Sequence, residues 1–336
     1  MKLLTVTVPC YNSQDYMRGC IESLLPGGDR VEIIIIDDGS KDATGLIADE
    51  YAAQYPDIVR VVHQENGGHG EGINQGLRHA TGTYFKVVDS DDKVSQDFVH
   101  FLDTLEACEA QGGVDLMVTN YYYVHSDGIG DRSINYSNVL PQNKIFTWDE
   151  TKRFLPHQML TIHSCTFRTE AMRACGGQLP KKTFYEDNLM VCRTLPHVEK
   201  MYYLNVDLYR YWIGRAGQSV QKDVMMKRYA HQVLCTELCF KSFYFDNIKS
   251  KMLRKYLEHE MFLMFGISIL YARMNKTEET DKAIRQMWAN CRAHDRKWAD
   301  HFRQRSMLTF LHFPGAMGHT FNDLVYKAAM KVVRYD

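Results

Sequence analysis

The chain has 336 residues, 45% of them hydrophobic and 24% charged, with eight prolines and a formal net charge of −1. That balance supports a large buried core and excludes a disordered chain. It carries no basic field to advertise a nucleic-acid partner, and no apolar run reaches the about 18 residues that a membrane-crossing helix needs.

"LLTVTVP" predicts a β-branched strand ending at Pro9. Its alternation of Thr and Val reads as a strand and not as a signal peptide, which points to the cytoplasm. "SQDYMRGCIESLL" has helical spacing at Tyr16, Cys20, Ile21 and Leu24, with Ser13 as the expected N-cap. "VEIIIIDDGS" is a continuous β-branched run, as in a strand covered on both faces. "DATGLIADEYAAQYP" predicts a helix stopping before Pro56, and "IVRVVHQ" a third strand. A glycine-rich loop, "ENGGHGEG", leads into the helix "INQGLRHAT", and "TYFKVVD" is a fourth strand. The repeated strand and helix predict an α/β fold with a mostly parallel sheet flanked by helices.

Further on, "KVSQDFVHFLDTLEA" predicts a helix capped by Ser95, followed by the strand "VDLMVTNYYYVH" and a loop-and-hairpin stretch over "YSNVLPQNKIFTW". From about Ser219 the pattern turns to amphipathic helices, so a first domain over 1–217 and an α-helical C-terminal domain over 218–336 are expected. The stripe Met261, Phe262, Met264, Phe265 and Ile269 suits a core or a homodimer face. The tail from "SMLTFLHF" onward suits a docked helix or a peripheral contact at the inner face of a membrane. The nine cysteines include no C-x-x-C pair and are expected as free buried thiols in a reducing compartment.

The segment "KVVDSDD", residues 86–92, places three carboxylates in four positions. Like charges at that spacing repel by about 1 kcal/mol in water and about 4 kcal/mol near a protein surface. Parallel sheets bind ligands beyond the carboxyl ends of their strands, where "PCYN", "DDGS" and "DSDD" all fall. A strand followed by D-x-D suits a hard divalent cation, Mn2+ or Mg2+, whose charge answers the repulsion. An acidic turn capping the next helix is the alternative. No H-E-x-x-H pattern is present, so zinc is not expected.

In order, "TVTVPCYNSQDYMRGCIESLL", "IIIIDDGSKDAT", "NGGHGEGINQG" and "ATGTYFKVVDSDD" resemble the N-terminal half of family 2 glycosyltransferases, which have the GT-A fold; the resemblance spans roughly residues 3–220. It implies a metal-dependent, inverting transfer of one sugar from a nucleotide-diphosphate sugar, UDP-linked by expectation, to a hydroxyl on a carbohydrate or lipid-linked acceptor in glycan synthesis. By this resemblance Pro9, Tyr11 and Asn12 line the base and ribose, and Asp38 bonds the uracil or ribose edge. Gly67, Gly68 and Asn74 frame the nucleotide, with Ile73 where many members carry Arg. Lys86 either supplies charge near the donor or is simply solvated, and His69 either touches the donor sugar or has no role. Asp89 faces ribose or metal beside Ser90, Asp91 is the main metal ligand, and Asp92 orients the shell or caps a helix.

"TFYEDNLM" resembles the family's ED motif, with Asp187 as the base and Glu186 orienting it or meeting the acceptor; acids at a helix start are the plainer explanation. Upstream, "HQMLTIHSCTFRTEAM" corresponds to the acceptor side, with His157 and His163 as candidates. "LYRYWIGRAGQSV" resembles the segment that follows, with Arg215 suited to the diphosphate and Ser219 supporting it. The Q-x-x-R-W motif of processive synthases is absent. The alternatives are a catalytically inactive nucleotide-sugar-binding subunit and a sugar nucleotidyltransferase; "PCYNSQDY" lacks the glycine-rich basic loop of the latter.

Overall fold

The structure is a computed structural model and describes residues 2–125, 128, 130–213, 222–304, 307–312 and 320–327. The chain divides into two compact units, one of residues 1–152 with 160–216, the other of residues 153–159 with 217–336.

The first unit carries strands β1 (Leu4–Cys10), β2 (Val31–Asp37), β3 (Val59–His63), β4 (Tyr84–Val87), β5 (Lys93–Val94), β6 (Leu116–His125), β7 (Arg132–Ile134), β8 (Ile145–Thr147), β9 (Cys165–Arg168) and β10 (Lys200–Ile213). They join in one sheet of order β3-β2-β1-β4-β9-β6-β10-β5, with β7 added on β6 and β8 on β10. Strands β1 to β4 are mutually parallel, as are β6 and β10. Strand β9 runs antiparallel to both β4 and β6 and joins the two parallel groups. All seven residues of β2 are buried, Glu32 and Asp37 included, because β1 and β3 flank it and helices cover the sheet.

The helices of this unit are α1 (Met17–Leu24), α2 (Thr44–Gln54), α3 (His69–His79), α4 (Phe98–Ala110), α5 (Thr169–Ala174) and α6 (Glu186–Thr194). Helix α3 lies tightly on β1. A Cβ at Gly76 would come within 2.1 Å of Thr7 Oγ1, so only glycine lets the helix approach so closely.

Three local expectations differ from the structure. Ser13 does not cap α1 with its hydroxyl, which meets Ser90 Oγ at 2.8 Å; its carbonyl accepts from the Tyr16 and Met17 amides instead. Helix α3 begins at His69, inside the expected loop, because Gly68 at φ 85° turns the chain directly into it. Helix α4 starts at Phe98 after Asp97, whose amide donates to Ser95 Oγ at 3.2 Å. Strand β10, fourteen residues long, had no counterpart in the strand pattern of the sequence. Its pairing with β6 shifts register twice between Leu204 and Tyr209, which breaks the period-2 alternation that marks a strand.

The second unit contains α7 (Lys222–Lys227), α8 (Tyr229–Phe240), α9 (Lys251–Met274), α10 (Glu278–His294) and α11 (Arg296–Gln304). Met261, Met264, Phe265 and Ile269 of α9 are buried, and Phe265 stacks on Trp288 at 4.5 Å. The Ser250 hydroxyl caps α9 by accepting from the Leu253 amide at 3.2 Å. Among the described residues no helix is long and apolar enough to cross a membrane. Cys10, Cys20, Cys108, Cys165, Cys175, Cys235 and Cys291 are free thiols, whereas Cys192 and Cys239 are disulfide-bonded, so the expectation of free thiols fails at those two.

Candidate active site

Strand β4 ends at Val87, and Asp89 to Asp92 form the turn towards β5. Asp92 is 1% exposed. Its Oδ2 accepts from the Tyr209 hydroxyl at 2.7 Å and its Oδ1 from the Trp212 amide at 2.8 Å. Burial and the neighbouring Asp89 push the Asp92 carboxyl well above its usual range, against the pull of these two donors. Asp89 behaves oppositely. Burial would raise it, but His69 and His163 outweigh burial and hold it well below the usual range. Asp91 is half-buried on the same turn.

Part of the answering positive charge is built in. Lys86 lies fully buried on β4, and its Nζ donates to the carbonyls of His163 at 2.8 Å and Cys165 at 3.3 Å. Burial depresses its pKa to about 8, while Asp89 favours its charged form. Lys86 is therefore not solvated; its ammonium sits inside the protein, behind the acidic turn.

Asp89, Asp92 and His163 each bring a ligand atom to within 4.8 Å of the others. His163 Nε2 is 3.7 Å from Asp89 Oδ2, and its ring stacks on Tyr211 at 4.5 Å. Its buried Nδ1 has no hydrogen-bond partner among the described residues. The two carboxylates fit Mn2+ or Mg2+ by donor chemistry, and the imidazole nitrogen favours Mn2+ of the two. Both carboxylates already hold partners, Asp92 in Tyr209 and Trp212 and Asp89 in His69 and, at 3.4 Å, Tyr209, but the two bonds on Asp92 are the shorter.

His69, the first residue of α3, stands between two motifs. Its Nε2 meets Asp89 Oδ1 at 2.9 Å and its Nδ1 meets Glu186 Oε1 at 2.8 Å. Burial opposes charge on this ring, but Asp89 and Glu186 prevail and raise its pKa well above the ordinary value. Glu186 opens α6 and is 2% exposed. The next residue, Asp187, is half-buried, and desolvation together with the Glu186 charge raises its pKa. A carboxylate so raised suits a general base.

At the ends of β1 and β2 the other expected residues gather. The Asp38 amide donates to the Cys10 carbonyl at 2.9 Å. Asn12, at φ 51°, takes part in two bonds: its amide donates to Ser40 Oγ and its Oδ1 accepts from the Lys41 amide. Tyr11 is 53% exposed, and Pro9 lies against Gly72, one residue before the end of β1, which runs on to Cys10 past the expected stop. Asp37 is pulled down overall: burial raises it, but the hydrogen bonds from Ser40 and His63 prevail.

Several of these residues have structural duties that their motifs did not reveal. Asp38 holds the loop before α3, with Oδ1 accepting from Gln64 and the Gly67 amide and Oδ2 from the Gly68 amide. Asn74 clasps Leu179 through both its carbonyl and its amide, at 3.0 and 2.9 Å. Ser90 faces Ser13. His157 is exposed on the 153–159 segment, which belongs to the second unit. Arg215 and Ser219 lie outside the described residues, as does the expected boundary at 217.

Tyr209 and Trp212 are partners of the acidic turn that no motif in the sequence marks as such. His69 joins the two acidic motifs, and His163, expected on the acceptor side, lies beside Asp89. The quoted "LYRYW" was the available signal for the first two, but it carries no information about which carboxylate they reach.

The family model described as glycosyl transferase family 2 matches residues 5–173, half of the chain. The chain belongs to glycosyl transferase family 2. Among curated relatives, this family 2 chain is 30% identical over 229 residues to the glycosyltransferase GlyA of Streptococcus pneumoniae, a match covering 64% of the chain and 31% of GlyA. The chain thus corresponds to about a third of that relative's length. Among solved structures, S. aureus TarS 1-349 in complex with UDP-GlcNAc matches with a TM-score of 0.58 at 18% identity, over 91% of this chain and 93% of that one. The mannosyltransferase PcManGT from Pyrobaculum calidifontis, in complex with GDP-Man and Mn2+, matches with a TM-score of 0.56 at 14% identity, over 98% and 86%. At these identities the likeness establishes the fold, which is GT-A.

Proposed function

We propose that this family 2 chain is a metal-dependent, inverting glycosyltransferase that moves one sugar from a nucleotide-diphosphate donor, UDP-linked by preference, to a hydroxyl of a glycan or lipid-linked acceptor. The observation that carries this reading is the meeting of the D-x-D turn and the ED motif on the two nitrogens of one imidazole, His69, at the carboxyl edge of the sheet. An unrelated acidic turn and an unrelated helix start have no reason to converge there.

In this reading Tyr11, Asn12 and Pro9 receive the base and ribose, with the loop that Asp38 holds closing beside them. Asp89 and Asp91 would hold the divalent cation, with His163 as a nitrogen donor and Asp92 orienting the turn. A cation held there supplies positive charge for the leaving diphosphate. Asp187 accepts the proton of the acceptor hydroxyl as that oxygen attacks the anomeric carbon, on the face opposite the bond to the diphosphate. Glu186 keeps the head of α6 in place. Arg215 is assigned to the diphosphate as a forked, permanently charged donor.

Calorimetry with UDP, with and without Mn2+, tests this. Binding that strengthens at least tenfold with manganese is expected, along with loss of that dependence in Asp91→Ala while the fold is retained. Failure to bind UDP or any other nucleoside diphosphate under either condition would overturn the reading.

A further inference from the structure

We propose that His69 is a positioning residue that ties Glu186 to Asp89, and so holds the acid pair at the head of α6 in register with the acidic turn; the role of that pair rests on the functional reading above.

Glu186 depends on this tie. Its side chain is buried, its Oε2 has no partner, and the hydrogen bond its carboxylate makes among the described residues is the one to His69. The site is built to bring the two together. A Cβ at Gly70 would lie 2.9 Å from Glu186 Cγ and 3.1 Å from the Pro180 carbonyl, so glycine beside His69 makes room for the acid. Gly68, at φ 85°, lets the chain pass the Lys182 backbone, where a Cβ would come within 2.9 Å. The Lys182 amide then donates to the Gly67 carbonyl at 2.6 Å. Three residues on, Tyr185 occupies the left-handed region at φ 70°, ψ 16°, a costly place for a residue with a Cβ. Such a conformation persists only where the surroundings over-determine it, and the imidazole clamp lies immediately after it.

Removing the ring leaves a buried carboxylate with neither oxygen bonded, a state that side chains leave by moving. Asp187 is the next residue on the same helical turn and moves with it. A contact between His69 and the donor sugar would instead express itself in donor affinity.

The test uses the full chain, with His69→Ala, His69→Gln, Glu186→Gln and the double variant His69→Ala/Glu186→Gln. Hydrogen exchange of the peptide covering residues 184–190 reads positioning without reference to activity. In His69→Ala it is expected to quicken about tenfold while the α2 amides stay unchanged. With the nucleotide sugar found by a hydrolysis screen, kcat is expected to fall about tenfold, while the donor KM and the UDP affinity with Mn2+ stay within about threefold. His69→Gln, which keeps one amide donor, recovers part of the loss. In the Glu186→Gln background, His69→Ala adds less than about twofold, because the two act as one unit.

Unchanged exchange at the α6 head with a raised donor KM would overturn the proposal in favour of a sugar contact. Additive losses in the double variant, or faster exchange throughout with a lowered Tm, would overturn it as well. If the wild-type chain binds no nucleoside diphosphate and consumes no nucleotide sugar, the functional reading falls, and the exchange measurement still decides whether His69 positions Glu186.

Discussion

The Tyr209 hydroxyl donates to Asp92 Oδ2 at 2.7 Å and accepts from the Asp89 amide at 3.2 Å, so one phenol on β10 clamps both ends of the acidic turn. The buried ring brings this hydroxyl to the turn because β5, which follows Asp92, pairs Val94 with Tyr209. Tyr209→Phe removes a partner from a buried carboxyl and leaves the ring packing intact. The expected cost is about 1–3 kcal/mol in thermal or denaturant unfolding. Metal-dependent UDP binding should weaken with it, since the turn loses its brace. Unchanged stability would show that Trp212 alone suffices for Asp92.

Asp187→Asn keeps the size and position of the side chain and removes its capacity to take a proton. Transfer is expected to fall by about 10²–10⁴, the usual contribution of a general base, with UDP affinity unchanged. A variant that transfers sugar at the wild-type rate would take the base role away from Asp187.

The same residue sets an expected pH profile. Its pKa is raised by desolvation first and by the Glu186 charge second. The base works as the carboxylate, so kcat falls as pH drops through this raised value. The acid limb therefore lies above the ordinary aspartate value of about 3.9. Glu186→Gln removes the second cause and is expected to shift the limb towards lower pH. A limb that stays put, or moves up, would mean that another group titrates there.

Asp38→Ala tests the loop. Two backbone amides, those of Gly67 and Gly68, and the Gln64 side chain lose their acceptor. Water can reach part of this loop, so the expected loss is about 2 kcal/mol and not the full sum of three bonds. Exchange of the Gly67 and Gly68 amides should rise while the β2 amides, paired between β1 and β3, stay protected. A variant with wild-type stability would assign Asp38 to ligand contact alone.

Much of the fold was legible because local patterns carry it. The four successive isoleucines of β2 mark a strand flanked on both sides, and the succession from β1 to β4 with α1 to α3 follows the same local patterns. The acids at the strand ends were legible for the same reason, since a parallel sheet collects its carboxyl ends on one edge. Strand β10 was not legible: its register shifts beside Asp207 disrupt the alternation, and its aromatic residues fit a loop motif equally well. Within the glycine-rich stretch, the start of α3 at His69 depended on a positive φ at Gly68, and that depends on the Lys182 backbone lying against it.

By itself the sequence determined that an α/β sheet would carry "PCYN", "DDGS" and "DSDD" to one edge, and that a helical region would follow. Which partner each acid meets was decided only by tertiary structure. Asp38 turns to Gly67 and Gly68, Asp92 to Tyr209 and Trp212, and Asp89 to His69, which reaches on to Glu186. The physical reason is range. Strand and helix formation depends on neighbours a few residues away, whereas a buried carboxylate needs a donor within about 3 Å, from whichever segment the packing brings there.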